Sequence, residues 1–386
     1  MSELLNGRWA ETKEALLEGL QGTKKSVMGV TLENTRKYLV ESPTAGATSA
    51  GNVATLNRVI LPVIRRVMPT VIANELVGVQ PMTGPVGQIH TLRVRYADSA
   101  TGVTAGEEAL SPFKIAEAYS GNDASPAKAA STANLEGQAG KRMSIQILKQ
   151  TVEARTRKLS ARWTFEAAQD AQAQQGIDIE AEVMAALAQE ITAEIDQEIL
   201  ASLASLAGSA VEAYDQNAVS GTATFVGDEH AALAVQINRV ANLIAQRTRR
   251  GAGNWAVVSP FALTILQSAT TSAFARTTEG TFEAPTNTKF VGTLNNAMKV
   301  YVNTYATDTT DVLIGYKGAS ESDAAAFYCP YIPLMSSGVV LDPSTFEPVV
   351  SFMTRYGYVE LSNTASSLGN AADYLGRVSI ANVSFK

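Results

Sequence analysis

Seven apolar side chains recur at every fourth position between residues 179 and 203: Ile179, Val183, Leu187, Ile191, Ile195, Ile199 and Leu203. On a helix of 3.6 residues per turn, a strict four-residue step drifts slowly round the axis, so the stripe covers a broad, slanted face. Asp178 can cap its start after Gly176, and Gly208 can end it. About 30 residues of helix span ~45 Å. The wider helical signal runs from Ala161 to Leu206. Glu180, Glu182, Glu190, Glu194, Asp196 and Glu198 decorate the helix. Paired carboxylates invite a metal or acid–base reading. No histidine or second carboxylate motif accompanies them, so a charged face is the reading preferred.

A second constraint lies upstream. Ile89, Thr91, Arg93 and Arg95 alternate with His90, Leu92, Val94 and Tyr96, the period of a strand. Alternation resumes from Met143 to Val152. Between them, Ala97 to Gly140 is small and polar, with neither a helical nor a strand period, and such lengths inside a compact domain are uncommon. Two strands flanking a long tip make an extended β-hairpin. An isolated hairpin is marginal in water, so this one needs a partner surface and points to assembly.

Composition narrows the function classes. Charged residues are 18% of the chain, below the ~25% of a typical soluble protein. The formal net charge is -6, but it is unevenly laid out: residues 1–162 carry +6, residues 163–238 carry -13 with no Lys or Arg, and residues 239–386 carry +1. That layout does not suit a general nucleic-acid binder. The single Cys329 excludes an internal disulfide framework. With only His90 and His230, metal spacings are missing and nucleophile–base constellations are nearly unavailable. No cofactor is expected. A Ser/His/Asp site on either histidine has no GxSxG motif to support it. No apolar run is long enough to span a membrane.

Residues 1–41 read as a helical, mixed-charge arm, and Ser42–Asn52 as a connector. Val53–Val77 is apolar, interrupted by Pro62 and Pro69, and carries Arg58, Arg65 and Arg66. These arginines could face nucleic acid; a solvated or intersubunit ion-pair face is the simpler reading. His230–Arg250 is a second amphipathic helix through Leu233, Val235, Ile237, Val240, Leu243 and Ile244. The Arg247–Gly253 cluster that follows could cradle a phosphate, but lacks the Lys-Ser/Thr of a P-loop. Trp255–Val258 reads as a strand and Pro260–Ser268 as a helix with proline at its start. Phe290–Val302, Val312–Tyr316, Ala325–Cys329, Phe352–Tyr358 and Val378–Phe385 are further strand candidates. The whole is α+β.

Several segments resemble the major capsid proteins of tailed phages, in the T-even-like myovirus branch with the HK97-type shell fold. The resemblance runs through VGVQPMTGPVGQIHTLRVRY (77–96), ARWTFEAAQDAQAQQGIDIEAEVMAALAQEI (161–191), RRGAGNWAVVSP (249–260), VYVNTYATDTTDVLIGYKG with DAAAFYCPYIP (300–333) and DPSTFEPVVSFMTRYGY (342–358). It implies an N-terminal arm (1–55), an entry segment of the P-domain (56–88), an E-loop hairpin reaching over a neighbouring subunit (89–152), a P-domain with a spine helix (153–208), an A-domain (209–340) and closing P-domain strands (341–386). It implies an icosahedral shell in the virion head around double-stranded DNA, assembled in the host cytoplasm and without enzymatic activity. The expected partners are further copies in hexamers or pentamers, the portal, scaffold or vertex proteins, decoration proteins and non-specifically bound DNA.

In this family prohead proteases cut after Leu/Ile-x-Glu. Leu39-Val40-Glu41, Leu16-Leu17-Glu18 and Ile115-Ala116-Glu117 fit that pattern; the arm is expected to be retained and Glu41 unused. Lys128, Lys141 and Lys149 lie in the E-loop, but no covalent crosslink is expected. A tail sheath or tube subunit would share the low charge and long hairpin without the ordered blocks. The basic front and acidic middle of the chain are expected to complement each other between subunits.

Overall fold

A computed structural model describes residues 9, 13, 14, 16, 17, 22–41, 72–107, 109, 119–121, 129–137, 139–175, 178–219, 226–248, 250–269, 274–276, 289–295, 297–306, 311–319, 323–345, 347–361 and 371–383. Arg58, Arg65, Arg66, Lys128 and the Ile115–Glu117 pattern lie outside them.

The spine is helix α5, Ile179–Ala207. The Asp178 side chain accepts from the Glu180 amide, and Gly208 ends the helix at φ +68°. Arg377 closes the far end by donating to the carbonyls of Ala204 (3.4 Å) and Gly208 (2.8 Å), a favourable place for a cation. Leu187, Ile191, Ile195, Ile199 and Leu203 are buried, whereas Ile179 and Val183 are only half-buried. A four-residue step turns about 40° beyond a full circle, so the stripe emerges from the core at its N-terminal end. The helical signal from Ala161 is not one helix. Ala161 and Arg162 belong to a strand, and a separate helix α4 spans Phe165–Gln175 before α5 begins.

Two sheets pack on this spine. The first is five-stranded: β1 (Gly78–Val79), β11 (Ala326–Ser336), β13 (Pro348–Glu360) and β12 (Val340–Leu341) in path order, with β4 (Arg155–Arg162) on the other side of β13. Strands β11 and β13 are longer than the short runs seen in sequence. Register shifts between Pro330 and Ile332, and between Ile332 and Met335, let β11 accommodate its two prolines. Helix α1 (Gly22–Glu41) lies against β11, where Asn34 donates to the carbonyls of Met82 (2.5 Å) and Tyr331 (2.9 Å).

The second sheet has seven strands in the order β5 (Glu212–Asp215), β14 (Leu375–Ala381), β10 (Val312–Gly315), β6 (Trp255–Val258), β9 (Met298–Val302), β8 (Lys289–Leu294) and β7 (Phe274–Arg276). The Phe290–Val302 run is a tight hairpin rather than one strand, turned at Asn295 with φ +52°. The central strands β6 and β10 of the sheet are apolar on both faces because both are covered. Trp255, Val257, Tyr301, Leu313 and Leu375 join the core that holds α5. Ala256, Val258, Val300, Val312, Ile314 and Val378 face helices α7 (Val226–Thr248) and α8 (Pro260–Ser268). Val235 is 66% exposed and lies off the buried stripe of α7. In α8, the Ser259 hydroxyl caps the Ala262 amide and Pro260 sits in the first turn.

The third unit is the two-stranded hairpin of β2 (Val86–Tyr96) and β3 (Met143–Glu153), paired in unbroken register from Val86↔Glu153 to Tyr96↔Met143. The long hairpin, the long helix and the later mixed unit implied by the sequence are all present, and the fold is α+β.

Candidate functional site

The hairpin has a folded base and a folded tip. At the base Met82, Val152, Phe327 and Cys329 form a small cluster, and the Ala154 amide donates to the Pro85 carbonyl at 2.9 Å. Burial pushes the Cys329 thiol up to about 11, so it stays protonated and unreactive near neutral pH. A Cβ on Gly357 would meet Val152 at 2.3 Å, so only glycine lets β13 pass this close to β3. At the tip Tyr96, Val103, Ala109 and Tyr119 pack together. The Tyr119 hydroxyl accepts from the Asp98 amide at 3.1 Å and donates to the Arg142 carbonyl; the Arg142 amide donates to the Asp98 carboxylate at 2.7 Å.

Between base and tip the hairpin displays apolar surface. Met143, Ile145 and Ile147 alternate on one face of β3 and are 54, 68 and 66% exposed. Lys149 continues their row.

A groove lies at the other end of the strand run that contains β3. Trp163 and Phe165 at the start of α4, Ile179 at the start of α5, Val339 and Leu341 around β12, and Pro348 line a space of about 430 Å³. Asp178 and Glu180 supply carboxylates to its wall. The emerging end of the four-residue stripe is what leaves Ile179 there. Sequence reasoning missed both this groove and strand β4. The faint signal for β4 was the alternation of Arg157, Leu159 and Ala161 with Lys158, Ser160 and Arg162, hidden by its high charge.

The acidic residues of the spine do not form a reactive cluster. Glu194 and Glu198, one turn apart, share Arg157 of β4 at 2.7 and 2.6 Å. Arg157 also donates from Nε to the Tyr356 hydroxyl at 2.6 Å. Burial raises the pKa of Glu198, but its bonds with Arg157 and Tyr356 outweigh this and hold it below the usual carboxylate range. Part of the charge complementarity expected between subunits is therefore satisfied within one chain.

Asp196 differs. It is fully buried, its Oδ1 accepts from the Ile72 amide at 2.9 Å, and its Oδ2 has no hydrogen-bond partner among the described residues. Burial pushes it up to about 7, against the lowering effect of the Ile72 amide.

The remaining candidates resolve into structure. Arg250 pairs with Asp323 at 2.7 Å, and Gly253 packs against Ala241 and Ile314; both are engaged in packing rather than arranged as a phosphate cradle. His230 is 1% exposed and its Nδ1 lies 2.5 Å from Ser268 Oγ. That hydroxyl bonds the Ile265 carbonyl at 3.0 Å, so the pair ties α7 to the end of α8. Glu75 on the short helix α2 (Ala73–Leu76) gathers Lys24 at 2.9 Å and Lys299 at 3.4 Å, joining arm, entry segment and seven-stranded sheet. Among the described residues no three His, Cys, Asp or Glu side chains could hold a metal, and no helix is long and apolar enough to cross a membrane. Glu41 is the last residue of α1.

A protein whose prominent features are a projecting apolar hairpin and an open groove, with Glu194 and Glu198 of its spine held in ion pairs, has the form of an assembling structural subunit. The comparisons give it a place. The family described as "Major capsid protein Gp23" matches residues 53–135 and 121–380, and the chain belongs to that family. The major capsid protein of Vibrio phage KVP40 is 30% identical over 421 residues, covering 85% of this chain and 81% of that protein. That of Enterobacteria phage T4 is 29% identical, covering 83% and 78%. Among solved structures, the capsid of Myoviridae phage XM1 aligns at TM-score 0.45 and 11% identity, over 79% of this chain and 89% of that one. The protein is a phage major capsid protein, a structural component of the virion head.

Proposed function

We propose that this chain tiles an icosahedral, HK97-type head shell around double-stranded DNA, assembling in the host cytoplasm into hexamers and pentamers. The hairpin acts as the E-loop, residues 153–208 and 341–386 as the P-domain, and residues 209–340 as the A-domain. The observation that carries this is the exposed face of the hairpin, which has the chemistry of a buried strand but is left open in the single chain. Its partners are further copies, with portal, scaffold, vertex and decoration proteins at specialised positions. Arg58, Arg65 and Arg66 face inward to DNA or to intersubunit contacts. The protein does no catalysis.

Two finer points have physical support. Glu41 ends a twenty-residue helix, and a protease that reads Leu-x-Glu in extended form would have to unwind its last turn, which favours retention of the arm. Lys141 sits 5.8 Å over the Tyr119 ring, a cation–π position that occupies its amine in place of a crosslink.

Negative-stain microscopy of the purified, expressed protein tests the reading. Hexameric rings or closed shells are expected. Open tubes would instead mark a tail subunit, and compact monomers with hydrolase activity an enzyme.

A further inference from the structure

Helix α2 is a single turn on which three parts of the molecule converge. Ile72, Ala73 and Leu76 are buried in the core that holds α5. From the spine, Asp196 Oδ1 accepts from the Ile72 amide at 2.9 Å. From the arm, Lys24 of α1 pairs with Glu75 at 2.9 Å. From the seven-stranded sheet, Lys299 reaches Glu75 at 3.4 Å and the Tyr301 hydroxyl donates to it at 3.4 Å. Just beyond β10, Lys317 donates to the Asn74 carbonyl at 2.8 Å. Strand β1 then leads from α2 to its pairing with β11.

The two carboxylates at this joint sit in opposite surroundings. Burial raises Glu75, but Lys24 and Lys299 outweigh this and hold it below the usual carboxylate range. Asp196 is fully buried, and its Oδ2 has no hydrogen-bond partner among the described residues. The groups around it are the Ile72 amide of α2, the Tyr328 hydroxyl of β11 and, beyond Tyr328, Glu198 of α5 and Tyr356 of β13. None of these is a cation, and burial keeps Tyr328 protonated. The lysines at the joint serve Glu75 and the Asn74 carbonyl instead. An ionised Oδ2 without a donor is costly in a core, and water reaches it when a neighbouring element moves off. Helix α2 is the element that yields, being one turn long, whereas α5 is a 29-residue helix and β11 is held in a strand ladder.

We infer that α2 is a proton-operated clasp that fastens the arm helix to the spine and to the seven-stranded sheet, closed while Asp196 is neutral and Glu75 ionised, and loosened when either changes state. The two limbs have opposite signs. The Asp196 contribution is complete below its unfolded value near 4 and is lost as pH rises towards about 7. The Glu75 contribution is present above its unfolded value of 4.5 and is lost as pH falls through its lowered folded value. The clasp is therefore held from both sides in mildly acid solution and eases towards neutral and alkaline pH. It stands on the single chain and does not depend on the shell reading.

Hydrogen–deuterium exchange on the full chain, corrected for the intrinsic effect of pH on exchange, tests the clasp. Amides of α1 and α2 should open roughly tenfold more often at about pH 8 than at about pH 6, the gain for a carboxyl that passes from a value of about 7 to one near 4 on opening. Amides of α7 and β10 should not change. Asp196→Asn should abolish the rise. Glu75→Gln should increase opening roughly threefold at both pH values and leave the rise in place. A flat profile in the unaltered chain overturns the clasp, as does a rise that persists in Asp196→Asn. An equal rise in α7 and β10 also overturns it, since Asp196 would then govern the whole fold rather than this joint. If Asp196→Asn does not fold, the unaltered chain and Glu75→Gln decide by whether the rise is confined to α1 and α2.

Discussion

The seven-stranded sheet and the β2–β3 hairpin both carry apolar strand faces, and those faces end in opposite states. Trp255–Val258 and Val312–Gly315 are buried at every position, because α5 covers one face and α7 with α8 the other. Met143, Ile145 and Ile147 alternate with polar side chains along β3, and each is more than half exposed. The buried strands are apolar on both faces and covered on both, whereas β3 is apolar on one face only and the chain supplies no cover for it. Apolar area left open in a single chain is free energy held for association.

This contrast can be broken by substitution, ranked by the effect on the isolated subunit. Ile199→Ala, at a fully buried spine position, should cost about 2–5 kcal/mol in chemical denaturation of the unassembled protein. A loss under ~1 kcal/mol would mean that the core around α5 is not the rigid side of the comparison.

Next is Asp196→Asn. The folded-state pKa of Asp196 is raised above its unfolded value, so the folded chain holds a proton that the unfolded chain releases. Its contribution is complete below the unfolded carboxylate value near 4, and is lost as pH rises towards about 7. The asparagine variant should flatten the fall in melting temperature across that window and be the more stable form above it. Parallel pH profiles for the two proteins would refute a buried, protonated Asp196.

Gly208→Ala forces a side chain into φ +68° and should cost about 1 kcal/mol, read in the same denaturation series. The smallest effect is expected at the hairpin. Ile145→Ser with Ile147→Ser should change subunit stability by no more than ~0.5 kcal/mol while strongly reducing the fraction sedimenting as rings or shells. Equal losses of stability and assembly would show that the face is already packed in the single chain.

Much of this division was legible in the residues. The four-residue stripe, Asp178 and Gly208 located the spine to within a residue, because capping chemistry and periodicity are local. The two alternating runs located the hairpin for the same reason. Strand β4 was not legible: its stability comes from pairing with β13, some two hundred residues away, and from Arg157 reaching Glu194 and Glu198. Its charged sequence offers no period strong enough to compete with the helical signal that follows. Asp196 looked like one more acid on a charged face. That the spine turns it inward, against the Ile72 amide, depends on a segment 124 residues earlier. The groove was invisible because it is made where three distant elements fail to close.

The close passage of Gly357 beneath Val152 has a mechanical consequence. The hairpin is a lever eleven residues long, ~36 Å from base to tip, and its fulcrum is the strand crossing that this glycine permits. A tilt of about 5° at the fulcrum carries the tip ~3 Å over that length. Small changes in how β13 and β3 nest would therefore appear at the far end as different angles between neighbouring molecules. One sequence could then serve both flat and curved parts of a closed surface by flexing at a single point, where only the Val152 side chain rests on the bare backbone of Gly357.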